Sequence, residues 1–314
     1  MKYTAYFVTA AIIIVVGIPY LILNLFSSEA DGSKSLEDIY SEPISVFLEE
    51  QNTEIQVPLE EYVACVIACE MPATFETEAL KAQAVAARTY GLSRQGSLCN
   101  TVHCQVFKTK EQLRAEKGDE WMNTYWDKIA SAAAATAGQV LYFNDELAEQ
   151  VLFHSSSGGK TEDSEEVFVS AVPYLRSVES PYEEEATHRN DETAFTLENF
   201  TAVINGQSGV TPVTVEDIGK MEIILLTTGG RVANIKIGNN EFTGKDIREM
   251  FDLPSANFTY RIEGENIIIV TSGYGHGVGM SQYGANGMAK EGYEYDEILT
   301  HYYSGVEIKQ YNES

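Results

Sequence analysis

From Ala5 to Phe26 the chain carries no charge, and only Thr9 and Asn24 are clearly polar. At about 1.5 Å of rise per residue, a helix of this length just crosses a hydrocarbon core of about 30 Å. Whatever folds in water must follow it. Lys2 precedes the run, while Glu29, Asp31, Glu37 and Asp38 come after it. The positive-inside rule therefore puts the N-terminus in the cytoplasm and the bulk of the chain outside. A cleaved signal peptide is the alternative, with an apolar core of about 7–15 residues and a small-x-small exit. This run is longer, and Ser27-Ser28-Glu29-Ala30 is a weak cleavage site. The expectation is a single-pass anchor over 1–26, a polar linker over 27–40 and an extracytoplasmic domain over 41–314.

Across all 314 residues, 44% are hydrophobic and 22% charged, which is ordinary globular usage and excludes a disordered chain or a multi-span membrane protein. Against 21 Lys and Arg stand 47 Asp and Glu, a net charge of -26. Such a surface repels phosphates, so nucleic acid is not an expected partner.

The folded part changes character along its length. Residues 43–57 read as an opening strand or hairpin. Apolar residues at Leu59, Tyr62, Val63, Val66 and Ile67 have helical spacing. A second, alanine-rich helix covers Glu78 to Leu92, and a third spans about residues 110–137. Beyond Gly138 the pattern turns to β. A hairpin is expected from Gln139–Phe143 and Ala148–His154 around Asn144-Asp145, with later strands at Met221–Leu226, Val232–Ile237 and Ile267–Thr271. Short helices are expected at Lys245–Phe251 and Tyr295–Tyr303. This order fits one mixed α+β domain, with N-terminal helices and antiparallel hairpins, better than a parallel wind.

Three segments carry chemistry. Continuing the stripe of the first helix by one step reaches Glu70, and Pro72 makes that residue part of the last turn. The negative end of the helix and desolvation both disfavour a charge there, so Glu70 is expected to hold its proton as a general acid would. A plain surface glutamate at a frayed helix end has the same pattern. Second, His154-Ser155-Ser156-Ser157-Gly158-Gly159-Lys160 leaves a strand with hydroxyls and flexible backbone that suit a polar ligand or a simple turn. Third, Ser272 to Ala285 is glycine-rich and holds His276, Gln282 and Tyr283. It does not meet G-x-G-x-x-G spacing and misses the G-x-S-x-G elbow by one residue. Carbohydrate contact and a tight structural loop both explain it.

Four cysteines remain. Cys65 and Cys69 lie four apart on one helix, where side-chain directions suit a disulfide poorly. Cys99 and Cys104 flank His103 in a polar loop. A disulfide, a thiolate–imidazole metal site and plain thiols are all open, although a closed zinc site needs four ligands and three are visible.

Glu70-Met71-Pro72, with Glu78 to Tyr90 after it, resembles the hallmark of the stage II sporulation protein D family. His154-Ser-Ser-Ser-Gly-Gly and Gly275-His276-Gly277-Val278-Gly279-Met280-Ser281-Gln282-Tyr283-Gly284-Ala285 are similar to two further segments of that family, in the same order. The resemblance covers about residues 45–310 and implies a membrane-anchored lytic transglycosylase. Such an enzyme cleaves the N-acetylmuramic acid–N-acetylglucosamine bond of peptidoglycan strands stripped of stem peptides, during engulfment and beside a partner amidase, stage II sporulation protein P. It implies Glu70 as catalytic residue and Arg88 as an arginine needed for activity, set on the glycan or on an acidic neighbour. Ser155, Ser156, Ser157, Gly158, Gly159, His276, Gly277, Gln282 and Tyr283 would line a substrate groove, with Gln105, Tyr302 and Tyr303 as further lining. No cofactor is required for this chemistry. Some relatives hold a structural zinc in the loop where Cys99, His103 and Cys104 fall, so these three are the implied ligands here. Related proteins outside sporulation imply another function, a non-catalytic enhancer of a wall amidase.

Overall fold

The computed structural model describes Leu36 and residues 42–311, apart from 95 and 97. The anchor expected over 1–26 and, Leu36 aside, the whole linker lie outside the described residues. Among those described, no helix is long and apolar enough to cross a membrane. The architecture is mixed α+β.

The chain opens with an antiparallel hairpin, β1 (Pro43–Leu48) and β2 (Thr53–Pro58). Helix α1 (Leu59–Glu70) follows at once and stops at Met71, whose backbone is extended ahead of Pro72. Its apolar stripe is wide enough that Tyr62 through Ala68 are all buried. Helix α2 (Thr77–Ser93) buries nearly everything from Ala79 to Leu92. Alanine at this density lets α1 and α3 (Lys110–Ala135) approach it closely, and α2 is the axis of the helical half. Thr109 and Gln112 form a capping box at the start of α3. The expected uninterrupted third helix is corrected at Gly118, where φ is 84° and the helical ladder breaks.

Strand β3 (Gln139–Phe143) turns through Asn144 and Asp145 into β4 (Glu146–Leu147). The hairpin ends there. The segment expected to continue it instead supplies β5 (Phe153–His154), which runs parallel to β12 (Met280–Ser281) from the far end of the chain. Between these two strands lie α4 (Ser164–Val167), β6 (Asp191–Thr196), α5 (Leu197–Asn205), α6 (Val215–Ile218), β7 (Glu222–Leu226), β8 (Val232–Ile237), β9 (Asn240–Thr243), α7 (Gly244–Met250), β10 (Phe258–Glu263) and β11 (Asn266–Thr271). They form two antiparallel three-stranded sheets, β10-β11-β6 and β7-β8-β9. After β12 come α8 (Gln282–Lys290), α9 (Tyr295–Tyr302) and β13 (Glu307–Gln310), the last of which pairs with β3.

Buried apolar residues fall into two clusters where the sequence reading drew one span. The first holds α1, α2, α3, β3 and the C-terminal helices. The second spans Phe200 to Ile269, where Phe200 and Phe251 stack 4.0 Å apart. The β5–β12 pair stands where the chain leaves the first cluster and returns to it.

Candidate active site

Glu70 closes α1 at a groove of about 710 Å³, within the usual size of a ligand site. Members of the first cluster line it, together with Arg248 from α7, whose Ile247 packs in the second. Glu70 Oε1 accepts the Val106 N–H at 2.7 Å, and Oε2 has no partner among the described residues. Desolvation raises the Glu70 pKa, while the Val106 N–H opposes it and loses. Burial thus works against the charged form of this carboxyl. No other Asp or Glu is found among the described lining residues.

Two histidines face the same space in neutral form. His154, on β5, is buried, with Nδ1 3.2 Å from the Val278 carbonyl. Burial, the nearby His276 and Arg231 hold it well below the ordinary imidazole range. His276 Nδ1 accepts the Val278 N–H at 3.1 Å. Burial, then Arg248 and Arg231, push its pKa down to about 4. Tyr90, Phe153, Phe168, Tyr274 and Tyr283 give the groove apolar faces.

Of the residues expected from sequence, Glu70, Gln105, Ser155, His276, Gln282 and Tyr283 lie together in this groove. Gln105 is nearly buried and donates to Tyr62 Oη at 2.9 Å and to the Ala87 carbonyl at 3.1 Å. Gln282 and Tyr283 stand on the first turn of α8, in a segment that its glycines had marked as loop.

The other expected contacts lie outside this groove. Arg88 is fully buried and pairs with Glu60, so of its two expected roles it takes the acidic neighbour. Ser156 and Ser157 are buried away from the groove. The Ser157 N–H and Oγ, with the Gly158 N–H, bind the buried carboxylate of Glu183. Gly158 and Gly159 line a separate cavity of about 260 Å³ beside Ser180 and Glu183. Gly277, at φ +83°, makes room for a guanidinium: a Cβ there would stand 2.3 Å from Arg231 Cζ. Arg231 is itself paired with Glu162 at 3.1 Å. Tyr302 is buried 2.7 Å from Ser180 Oγ, and the buried Tyr303 donates to the Leu152 carbonyl at 2.8 Å. These residues hold the loops that frame the groove and do not line it.

The zinc reading fails its test of fit. His103 and Cys104 line the groove, and Cys104 Sγ accepts the Cys99 N–H at 3.1 Å. Among the described residues, however, no three His, Cys, Asp or Glu side chains gather to hold a metal. All four cysteines are thiols. Burial pushes Cys104 and Cys69 up to about 11.

Sequence reasoning missed Arg248, His188, Phe168 and Tyr274 as lining, and left His154 out of the contacts. His154 and Tyr274 sit inside segments already singled out. Arg248 and His188 have no local signal, because they reach the groove from parts of the chain far from Glu70.

The sequence model of the stage II sporulation protein family (SpoIID) matches residues 49–143. Stage II sporulation protein D of Bacillus subtilis (strain 168) is 39% identical over 300 residues, covering 90% of this chain and 84% of that protein. Its namesake in Bacillus amyloliquefaciens is 40% identical over 265 residues, 81% of this chain and 75% of the relative. The amidase enhancer of Bacillus subtilis is 30% identical over 296 residues, 78% of this chain and 40% of that protein. A match of this extent to two relatives, carried through both clusters, makes the chain a member of the stage II sporulation protein D family.

Proposed function

We propose that this protein is a lytic transglycosylase that cleaves the N-acetylmuramic acid–N-acetylglucosamine bond of peptidoglycan strands stripped of their stem peptides. The observation that carries the reading is Glu70: one desolvated carboxyl, inclined to keep its proton, with no second carboxylate among the described residues that line its groove. A glycoside hydrolase divides its work between two carboxylates. One is enough when the second nucleophile belongs to the substrate.

Neutral Glu70 gives its proton to the glycosidic oxygen as the bond to the anomeric carbon breaks through an oxocarbenium-like state. The resulting carboxylate takes the proton of the muramic acid 6-hydroxyl. That oxygen closes on the anomeric carbon, leaving a 1,6-anhydro end and Glu70 protonated again. Atoms and protons balance without water. The Val106 N–H steadies the carboxylate between the two transfers. The aromatic lining offers apolar faces to pyranose rings, and Gln105, Gln282 and Ser155 offer polar ones.

In this reading the chain is anchored in the cell membrane with its N-terminus in the cytoplasm. It acts outside, during engulfment, on strands prepared by a partner amidase, stage II sporulation protein P. The test is mass spectrometry of products from stripped strands. Wild type is expected to release 1,6-anhydro ends and Glu70→Gln almost none. Reducing ends in place of anhydro ends would overturn the mechanism. A second reading draws on the amidase enhancer relative: the domain binds the wall and stimulates an amidase without cutting glycan. It expects no fragments from the purified protein and unchanged stimulation by Glu70→Gln.

A further inference from the structure

Arg248 reaches the groove of Glu70 from α7, in the second cluster. Its Nε donates to the Leu253 carbonyl at 3.2 Å, which orients the guanidinium plane. Its two terminal nitrogens have no hydrogen-bond or ion-pair partner among the described residues. The two fully enclosed arginines behave otherwise: Arg88 is held by Glu60, and Arg231 by Glu162. In a chain with 47 acidic residues against 21 basic ones, a half-buried guanidinium without an acidic partner is set apart. It is also the only Lys or Arg among the described groove-lining residues. Glu249, Asp252 and Tyr274 act on its charge without a hydrogen bond or ion pair to it, and burial disfavours charge on Glu70, His154 and His276. Glu70 is the one acidic side chain among the described groove-lining residues, and the planar fork of an arginine matches a carboxylate at two points.

Resting on the peptidoglycan reading, we propose that Arg248 binds the lactyl carboxylate of muramic acid and so selects strands whose stem peptides have been removed. On a strand that still carries its peptide, this group is a neutral amide and cannot form a two-point charge-assisted pair. Hydrolysis of that amide creates the anion. Arg248 thereby makes the glycan cut wait for that hydrolysis.

The test is calorimetric binding to the full-length chain in detergent, in a Glu70→Gln background that stops turnover. Three probes are used: amidase-stripped strands, the same strands with their lactyl carboxylates converted to methylamides, and chitotetraose, which has no lactyl group. Stripped strands are expected to bind about tenfold or more tighter than amidated ones. Adding Arg248→Gln is expected to erase that preference while chitotetraose affinity stays within about twofold. Arg248→Lys, which keeps the charge but loses the fork, is expected to retain only part of it. The comparison of stripped and amidated strands on the parent protein needs no change at Arg248, so it decides even if that variant folds badly. No preference in the parent, a preference that survives Arg248→Gln, or an equal loss for chitotetraose each overturns the assignment. Anhydro ends are read separately. A preference carried by Arg248 without anhydro products would sink the transglycosylase reading and leave the carboxylate site standing.

Discussion

Arg88 and Glu60 meet through two parallel hydrogen bonds, Nε to Oε1 at 2.9 Å and a terminal nitrogen to Oε2 at 2.5 Å, both side chains almost fully enclosed. The remaining donors of Arg88 reach the carbonyls of Ala133 and Gln139 at 3.1 Å, and Glu60 also accepts the Gly138 N–H at 3.1 Å. One pair thus ties α1, α2, the end of α3 and the start of β3. Glu70 stands at the other end of α1. Losing this pair should therefore be felt at the groove through the position of α1.

Arg88→Met should therefore act as a stability lesion. Removing one partner of a buried pair leaves a desolvated charge and costs about 3–5 kcal/mol. The double change Glu60→Met with Arg88→Met should cost clearly less, because no orphan charge remains. Denaturant unfolding of the three proteins checks this. Arg88→Lys should resemble the methionine variant, since an ammonium cannot serve Glu60 and two carbonyls from one plane. Normal stability in Arg88→Met with activity lost would return the arginine to the substrate.

Glu70→Gln should cut turnover by about 10²–10⁴-fold, the usual worth of a general acid–base group. Its effect on stability runs the other way. Burial raises the folded-state pKa of Glu70 above its ordinary 4.5. Its favourable contribution is complete below that value and is lost as pH rises through the folded pKa. At neutral pH the glutamate is a burden, so Glu70→Gln should melt higher there and should match wild type in acid. Tm measured from pH 4 to 8 decides. The rate of wild type should fall on the alkaline side of the same titration.

The two groove histidines impose an opposite acid limb. The His276 pKa is lowered to about 4, and that of His154 is lowered well below its ordinary 6.5. The unfolded chain takes up these protons first, so stability present above about 6.5 is lost as pH falls toward 4. The double variant His154→Gln with His276→Gln should show a flatter Tm-against-pH curve over that window. NMR should find both wild-type rings neutral at pH 6. A ring that titrates at 6.5 would end this account.

Local pattern made the helical half readable. The stripe through Leu59, Val63 and Ile67 led to Glu70, and Pro72 marked its end. What stayed hidden depends on contacts far along the chain. The β5–β12 pair joins Phe153 to Met280, and no turn signal links them. Ser157 and Gly158 looked like ligand contacts because hydroxyls and open backbone suit a sugar, yet they suit the buried Glu183 equally. Arg88 carried no sign of its burial, since a charged residue on an alanine-rich helix looks the same whether its partner is a substrate or Glu60. Arg248 lay in a helix that was expected, but only the packing of the second cluster turns it toward Glu70's groove.

The glycines of α8 misled for a related reason, and they supply a last test. Glycine inside a helix normally costs about 1 kcal/mol against alanine, so Gly287→Ala should stabilise if propensity alone ruled. Packing rules instead. A Cβ on Gly287 would stand 1.9 Å from the Tyr182 carbonyl oxygen, and backbone has nowhere to yield. The helix would have to move off its neighbour, at a net cost of about 1–3 kcal/mol. Because Gln282 and Tyr283 enter the groove from the first turn of this helix, that shift should also raise KM on stripped strands. Gly206→Ala is the control: its nearest atoms lie 3.4 Å away and its φ is -74°, so its Tm should hardly change. If Gly287→Ala melts at or above wild type, the close approach of α8 to Tyr182 is wrong, and with it the placement of Gln282 and Tyr283 beside Glu70.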